Sequence, residues 1–300
     1  MYRKIMGFLE AWKESEHRKP LILQGARQVG KTYSILEFGR THYENVAYFN
    51  FETNPKLNKT FEENISPDYL IPILSHIAGQ TIVKEKTLIV FDEVQLCERA
   101  LTSLKYFCED APDYHIIVAG SLLGVAVNRA KFSFPVGKVD MKTLYPMDME
   151  EFMLALGEKD LVEQIKKCFH TDTPLPSALH DAAMQLYRQY LVVGGMPECV
   201  MQFAETKDYI LVRHTQDTIL ASYLNDMSKY NNLNEIKKTR LAYDNITVQL
   251  SKKNTRFQYK LIKKGGRASE FENAIEWLCL SGIVSQVYKV EQIKKPLENY

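Results

Sequence analysis

The sequence predicts an α/β fold in which a parallel sheet is sandwiched by helices, followed by a helical segment and a winged-helix-like domain. Three observations carry this prediction: short apolar runs alternate with longer segments that have a polar face, a glycine-rich stretch follows the first run, and two adjacent carboxylates end the third. Near-continuous apolar strands separated by helices are typical of a parallel sheet that is covered on both faces.

Five apolar runs give the predicted strands. They span residues 21–24, 46–51, 87–91 and 115–119, with a weaker run at 138–144. Before them, Ile5, Phe8, Leu9 and Trp12 have the i, i+3, i+4, i+7 spacing of one helix face, which predicts an N-terminal amphipathic helix.

The character of the chain changes after about residue 150, where the pattern becomes helical. Gly194, Gly195 and Pro197 interrupt this helical stretch. We therefore expect three parts: a nucleotide-binding domain over residues 1–150, a helical lid or linker over 151–231, and a winged-helix-like domain over 232–300. The chain has 300 residues, which suits about two domains of ordinary size.

Composition excludes several classes of protein. The net charge of +1 argues against a global polycation, so any affinity for nucleic acid must come from a local patch. Five scattered cysteines without a CxxC pair indicate reduced thiols and a cytoplasmic location. No apolar run approaches the roughly 20 residues of a membrane helix. The seven histidines show no metal-ligand spacing, so no zinc site is expected.

The stretch "GARQVGKT" at residues 25–32 fits the phosphate-binding pattern G-x-x-x-x-G-K-[ST], known as Walker A. Glycines allow successive N–H groups to surround a phosphate, and the helix beginning near Lys31 adds its positive dipole end. We expect Lys31 to reach the β- and γ-phosphates and Thr32 to bind Mg²⁺. The predicted nucleotide-binding residues are Gly25, Ala26, Arg27, Gln28, Val29, Gly30, Lys31, Thr32 and Tyr33. A glycine turn with a surface lysine is the simpler alternative.

Two carboxylates, Asp92 and Glu93, follow the apolar run at 87–91. Ligands of open α/β sheets bind at the carboxyl ends of the strands, so both side chains should emerge beside the phosphate loop. We assign Asp92 to Mg²⁺ and Glu93 to the activation of a water molecule. An acidic helix start is the alternative. A water-activating glutamate favours nucleotide hydrolysis over the phosphoryl transfer of a small-molecule kinase, which stays open.

Ser121 follows the run at 115–119 and is predicted to orient the attacking water or to sense the γ-phosphate, with an ordinary turn serine as the alternative. This role requires its strand to lie between the strand of the phosphate loop and the strand of the acidic pair. Gln95 is a weaker candidate, since its side chain could turn toward the site or away. Arg213 could face nucleotide from the helical segment, or belong to a solvated helix face.

Six segments together resemble the uncharacterised prokaryotic AAA-type P-loop ATPases, whose AAA domain precedes a C-terminal domain of unknown function. The segments are "RKPLILQGARQVGKTY", "LIVFDEVQ", "VAGSLLGVAV", "LYPMDMEEF", "YLVVGGMPECV" and "ASYLNDMSKY". The resemblance implies an AAA-type strand order, with the Ser121 strand between the other two. It also implies ATP as the nucleotide and control of the activity through assembly, such as a homo-oligomer, or through partner contact. The expected protein is a Mg²⁺-dependent ATPase that acts as a nucleotide-driven switch.

Two departures from the family matter. Members often have Gly-Arg before the "PxxxxEF" segment, where this chain has Gly137 and Lys138, so an arginine finger cannot be assigned there. Arg99 and Arg129 remain candidates for an arginine that acts on a neighbouring subunit. Such proteins also usually continue into a domain that resembles a nuclease fold, which we expect this chain to lack.

Residues 252–267 form a basic stretch near the C-terminus with no acidic residue. Its members are Lys252, Lys253, Arg256, Lys260, Lys263, Lys264 and Arg267. Ser269 and Glu272 predict a capping box for the next helix, and the strand-like run at 283–290 completes a winged helix-turn-helix pattern. This pattern predicts DNA binding through phosphate contacts. Glu270, Glu272 and Glu276 would repel phosphates, so a solvated or protein-facing patch is the alternative.

Overall fold

The computed structural model describes residues 1–120, 134–229, 233–253, 256–263 and 265–287. The chain divides into two compact units, Met1–Tyr223 and Leu224–Tyr300. The predicted division into residues 1–150, 151–231 and 232–300 stays a prediction. Within the described ranges, no helix has the length and apolar character needed to cross a membrane.

The first unit contains a five-stranded sheet. Its strands are β1 (Leu21–Gln24), β2 (Asn45–Asn50), β3 (Thr87–Asp92), β4 (His115–Ala119) and β5 (Asp140–Thr143). All neighbouring strands are parallel, in the order β2-β3-β4-β1-β5. Each predicted run becomes a strand, with its ends displaced by two residues at most. The position of β4 between β1 and β3 confirms the strand order that the resemblance implied.

Helices cover both faces of this sheet and then continue alone. Numbered among the described residues, they are α1 (Ile5–Lys13), α2 (Lys31–His42), α3 (Lys56–Glu63), α4 (Pro67–Ala78), α5 (Glu98–Asp110), α6 (Met149–Ala155), α7 (Lys159–His170), α8 (Ser177–Val193), α9 (Pro197–Thr206) and α10 (Tyr209–Lys229). A short 3-10 turn, Val94–Leu96, follows β3. The predicted helical character after residue 150 is confirmed, and α10 runs from the first unit into the second.

The core of the first unit includes β3 and β4, every residue of which is buried. Four phenylalanines on β2, β3, α3 and the turn after β2 lie against one another, with ring centroids 5.6–6.0 Å apart: Phe49, Phe51, Phe61 and Phe91. Aromatic rings at these separations add to the free energy gained from burial alone. The aromatic cluster therefore packs against Phe91, the residue that precedes Asp92 on β3.

The helical segment is joined to the sheet through the loop after β5. Gly195 approaches this loop so closely that a Cβ atom on it would lie 2.1 Å from the carbonyl oxygen of Met147. The Met147 N–H donates to the Gly195 carbonyl oxygen at 2.6 Å, and the Tyr190 hydroxyl donates to the Met147 carbonyl oxygen at 2.9 Å. The predicted break at Gly194 and Gly195 is confirmed, and it places the start of α9 beside the sheet.

In its described part, the second unit consists of helices joined by turns and irregular segments. It holds α11 (Leu233–Leu250), a 3-10 turn (Tyr259–Leu261) and α12 (Ala268–Leu280), and α11 packs against α12. The apolar face predicted for α12 is buried at Phe271, Ala274, Ile275 and Leu278, and Trp277 is buried with them.

Two predictions for the second unit are wrong. Helix α12 begins at Ala268, and its N-cap residue Arg267 makes no side-chain hydrogen bond, so Ser269 lies inside the helix and forms no capping box with Glu272. Residues 283–287, the described part of the predicted strand 283–290, contain no strand. Residues 288–290 lie outside the described residues. As far as residue 287, the described part of this unit contains a packed helical pair, and the winged helix stays a prediction.

Candidate functional site

The loop between β1 and α2 adopts backbone conformations that the glycine pattern anticipated. Gly25 has φ +146° and Gly30 has φ +89°, and Gln28 has φ +64° without being a glycine. A Cβ atom on Gly25 would lie 2.2 Å from the Leu144 carbonyl oxygen, so no larger residue fits there. Non-glycine residues with positive φ concentrate at functional sites, where the surrounding structure holds them in place.

Lys31 is the first residue of α2, and its side chain is buried within this loop. Its Nζ donates hydrogen bonds to the carbonyl oxygens of Gly25 at 2.9 Å and Ala26 at 2.8 Å. Burial lowers the Lys31 pKa to about 8, and the nearby Glu93 and Asp92 carboxylates oppose that shift. The ammonium group therefore remains mostly protonated at pH 7, and the loop contains a buried positive charge.

The end of β3 meets the phosphate loop through Asp92, as its position at the carboxyl end of a parallel strand predicted. The Thr32 Oγ1 donates to Asp92 Oδ2 at 2.9 Å, and the Glu93 N–H donates to Asp92 Oδ1 at 2.9 Å. A third donor comes from β2, where the Tyr48 hydroxyl lies 2.7 Å from Oδ2. Burial raises the Tyr48 pKa to about 12, so the hydroxyl is protonated at pH 7 and donates a hydrogen bond to Asp92.

Glu93 follows with a left-handed backbone conformation, at φ +52°. The Gln95 side chain turns toward it, and its Nε2 donates to Glu93 Oε2 at 2.5 Å, which answers the open question of its direction. Burial raises the Glu93 pKa, and the hydrogen bond from Gln95 opposes the rise. A carboxylate with a raised pKa is a stronger base than an exposed one, which suits proton abstraction.

A cleft of about 530 Å³ opens over the loop. Among the predicted nucleotide-binding residues, Arg27, Gln28, Gly30, Lys31, Thr32 and Tyr33 line it, and so does Glu93. Ala26 and Val29 are buried behind it. Its other wall includes Arg3 from the N-terminus and Pro197 from α9. The volume lies in the range of small-molecule sites in proteins.

Arg3 was missed by the sequence analysis. Its guanidinium is buried, and it donates from Nε to Glu151 Oε1 at 3.1 Å and from Nη1 to the Val29 carbonyl oxygen at 2.8 Å. The third bond runs from Nη2 to the Tyr145 carbonyl oxygen at 2.8 Å. Glu151 also completes a capping box with Asp148 at the start of α6. The D-x-x-E spacing is the one sequence signal that marks this cluster.

The remaining candidates lie apart from the cleft or outside the described residues. Ser121 and Arg129 belong to the latter group. Arg99 donates from Nε to the Phe61 carbonyl oxygen at 2.6 Å. Arg213 is exposed and pairs with Asp217 at 2.9 Å on the surface of α10, the solvated alternative. Helix α10 contacts the phosphate loop instead through Tyr223, whose hydroxyl donates to the Arg27 carbonyl oxygen at 2.9 Å.

Comparison with known families agrees with this geometry. Residues 17–153 match the family described as "AAA domain", and residues 184–299 match "Domain of unknown function (DUF8612)". Among proteins with curated functions, none matches this chain.

Three solved structures are similar to this chain. The Aeropyrum pernix ORC2 protein, in ADPNP–ADP complexes, is 11% identical over 95% of this chain and 87% of its own, with a TM-score of 0.50. The Thermotoga maritima RuvB Holliday junction branch migration motor is 13% identical over 95% and 88%, with a TM-score of 0.39. Caenorhabditis elegans PCH-2 is 12% identical over 69% of this chain, which spans 63% of the PCH-2 chain, with a TM-score of 0.36.

Sequence identities this low give information about the fold alone. Among these three structures, only ORC2 has a TM-score high enough to support a shared fold. The AAA match begins just before β1 and ends within α6, so it contains the phosphate loop and the acidic pair. Residues 17–153 therefore form an AAA domain, and a C-terminal domain of unknown function follows it at residues 184–299.

Proposed function

We propose that this protein binds ATP with Mg²⁺ in the cleft, hydrolyses it slowly when alone, and uses the nucleotide as a switch. The observation that carries the proposal is the 2.9 Å hydrogen bond between Thr32 Oγ1 and Asp92 Oδ2. It joins the phosphate loop to the end of β3, so that the Lys31 ammonium and the Glu93 carboxylate line one cleft.

The loop residues would bind the triphosphate. In a phosphate loop of this type, backbone N–H groups surround the β-phosphate and the lysine pairs with the β- and γ-phosphates. Lys31 supplies a buried ammonium group that at present donates to Gly25 and Ala26. Exchanging these carbonyl partners for phosphate oxygens would give its charge a full counter-charge. Tyr33, largely exposed at the edge of the cleft, would contact the rest of the nucleotide.

Thr32 and Asp92 fit a magnesium ion in their chemistry. Mg²⁺ prefers oxygen ligands and is usually held by one or two side chains together with substrate phosphates. The Thr32 hydroxyl donates its hydrogen bond to Asp92, which leaves the lone pairs of the hydroxyl oxygen available to a cation. The described residues hold no group of three His, Cys, Asp or Glu side chains, so a metal held entirely by such side chains is not seen there. When bound, Mg²⁺ neutralises developing charge on the phosphate oxygens.

Glu93 would take the proton of the attacking water. Its carboxylate lines the cleft, its burial raises its pKa, and Gln95 fixes the orientation of Oε2. A kinase that passes phosphate to a small acceptor must exclude water, so a glutamate in this position favours hydrolysis. Ser121 remains our candidate for sensing the γ-phosphate, although it lies outside the described residues.

Two variants test the proposal together. Lys31→Ala should lose nucleotide binding, because the phosphates lose their counter-charge. Glu93→Gln should keep binding and lose turnover by roughly 10²- to 10⁴-fold, the usual contribution of a general base. Binding is measured with a fluorescent ATP analogue, and turnover is measured as phosphate release without an acceptor. Glu37→Gln on the exposed face of α2 is the matched control and should behave as the parent. Equal turnover in Glu93→Gln and the parent would remove the assignment of the base.

ATP-dependent DNA binding through the basic stretch is the second candidate function, with DNA engagement as the purpose and ATP hydrolysis as the reset. Lys252, Lys253, Lys260 and Arg267 are exposed within the basic stretch, which supports phosphate contacts. Lys263 pairs with Glu270 at 3.1 Å, and Lys264 lies outside the described residues. The test is ATPase activity with and without DNA at two salt concentrations. Stimulation that falls steeply with salt supports DNA binding, and equal rates in all four conditions exclude it.

Assembly is one of the two forms of control that the AAA resemblance implies, and contact with a partner is the other. Size in solution, measured with and without a non-hydrolysable ATP analogue, tests it directly. A nucleotide-dependent increase in mass would support a homo-oligomeric switch, and an unchanged monomer would exclude assembly of this chain alone as the control.

A further inference from the structure

We propose that Tyr48 is a positioning residue that fixes the Asp92 carboxylate for cation binding. The inference rests on the proposed function, in which Asp92 and Thr32 hold Mg²⁺. The observation behind it is the hydrogen bond of 2.7 Å from the Tyr48 hydroxyl to Asp92 Oδ2, the same oxygen that accepts from Thr32.

The sheet register brings Tyr48 to the metal side of the site. On the edge strand β2, Asn50 is paired with Asp92 and Tyr48 is paired with Val90. Residues two apart on a strand project from the same face, so Tyr48 and Asn50 share a face. The tyrosine is long enough to reach past Asn50 to the carboxylate at the end of the neighbouring strand.

Asn50 in turn restrains the Tyr48 hydroxyl. The Asn50 Nδ2 donates to the hydroxyl oxygen at 3.2 Å. Its own Oδ1 accepts from the backbone N–H groups of Glu52 at 2.9 Å and Thr53 at 3.0 Å, so the turn after β2 fixes the orientation of this amide. Because the hydroxyl oxygen accepts from Asn50, its single proton is directed to Asp92.

Asp92 is consequently held from two sides. Thr32 donates to Oδ2 from α2, and Tyr48 donates to the same atom from β2, while the Glu93 N–H holds Oδ1. Without the tyrosine hydroxyl, the carboxylate would keep one side-chain donor, on a residue that must also bind the cation. Groups that orient a metal ligand typically change metal affinity by 10- to 100-fold when removed.

Tyr48→Phe tests this inference with little risk to the fold, because the ring is retained and its 37% exposure leaves no cavity. A fluorescent ATP analogue is titrated at increasing Mg²⁺, and again in EDTA. We expect the Mg²⁺ concentration for half-maximal binding to rise about 10-fold. Nucleotide affinity in EDTA should equal that of the parent. Free Mn²⁺, followed by electron paramagnetic resonance in the presence of ATP analogue and protein, gives a second readout that is independent of turnover.

Tyr69→Phe is the matched control. It removes a hydroxyl that donates to the Glu63 carboxylate at 2.5 Å on the surface of the same unit, and it should leave both titrations unchanged. An unaltered Mg²⁺ requirement in Tyr48→Phe would overturn the inference while leaving the proposed function intact. Equal weakening with and without Mg²⁺ would also overturn it, since Tyr48 would then act on the nucleotide or the loop. A parent protein whose nucleotide binding ignores Mg²⁺ would overturn the proposed metal site and the inference together.

Discussion

Each end of the parallel sheet buries a titratable basic side chain, and the two side chains differ in charge at pH 7. Burial lowers the Lys31 pKa at the carboxyl end to about 8, and it lowers the His115 pKa at the amino end to about 4. At pH 7 the lysine is therefore charged and the histidine is neutral. The amino end avoids the free energy cost of a buried charge, whereas the carboxyl end accepts that cost where a phosphate would bind.

The amino end is closed by aromatic contacts. His115 Nδ1 lies 2.8 Å from the Tyr43 hydroxyl, and the Trp12 ring meets the imidazole edge-on at 6.1 Å. His115 Nε2 is buried and makes no hydrogen bond within the described part of the chain. Protonation would place a charge near Arg18 and Lys13, which also lower the pKa, while Asp113 opposes them. The surroundings at this end therefore favour the neutral form of His115.

The comparison teaches where to look for function in a parallel sheet. At the amino end, the buried titratable group is neutral and is packed among aromatic rings, which is the arrangement expected where only stability matters. A charge that stays buried at the other end marks the place where stability alone does not decide which residue is present.

The largest expected effect comes from Arg3→Ala at the carboxyl end. Removing this guanidinium leaves the Glu151 carboxylate buried without its ion-pair partner and two carbonyl groups without their donor. Breaking a buried pair in this way typically costs about 3–5 kcal/mol of the free energy of unfolding. Urea denaturation measures the change.

Arg40→Ala is the control for Arg3→Ala, since Arg40 forms an exposed pair with Glu37 on α2. It should leave the urea midpoint unchanged, as isolated surface pairs usually do. If both variants unfold at the same urea concentration as the parent, the buried Arg3–Glu151 pair contributes no more to stability than a surface pair. The proposed difference between the two ends of the sheet would then be wrong.

Lys31→Met should move stability in the other direction. A pKa lowered to about 8 by burial corresponds to a charged lysine that costs the folded protein roughly 3 kcal/mol at pH 7. Removing the charge should therefore raise the free energy of unfolding without nucleotide by up to that amount. In the parent, the free energy cost of the buried charge falls as pH rises from about 8 toward the ordinary lysine pKa of 10.5, because the folded protein then contains the neutral amine. A destabilised Lys31→Met would show that the lysine is retained for folding.

A smaller effect is expected from pH at the amino end. Because the folded His115 pKa of about 4 is below the ordinary value of 6.5, the unfolded chain binds more protons between these pH values. Its contribution is complete above pH 6.5 and is lost as pH falls, by roughly 2 kcal/mol between pH 6.5 and pH 5.

His115→Phe isolates that contribution, because it keeps an aromatic ring and removes the titrating group. As pH falls from 6.5 to 5, the parent should lose unfolding free energy relative to the variant. Parallel pH dependences would show that carboxylates elsewhere are responsible and that the amino end is not held by a neutral histidine.

Much of the fold could be predicted because its signals are local. The five apolar runs gave the strands, and the residues at 25–32 and 92–93 were expected to meet because parallel strands end at one edge. The interruption of the helical segment at Gly194 and Gly195 could also be predicted from the sequence. The position of β4 came from the resemblance and not from any local pattern.

What escaped prediction depends on contacts between residues distant in sequence. Arg3 and Glu151 are 148 positions apart, and Tyr48 and Asp92 are 44 apart, so no periodicity or motif joins them. The capping box proposed for Ser269 failed because the helix begins one residue before it, a difference that spacing alone does not resolve.

The Gly195–Met147 contact has a practical consequence for anyone who shortens this chain. The AAA match ends at residue 153, yet the first unit runs to Tyr223. A fragment cut at the end of the match would strip the Met147 backbone of its partners and remove the Pro197 wall of the cleft. Truncation for expression or crystallisation should therefore respect the glycine contact, and the shortest useful piece would keep α8, α9 and the start of α10.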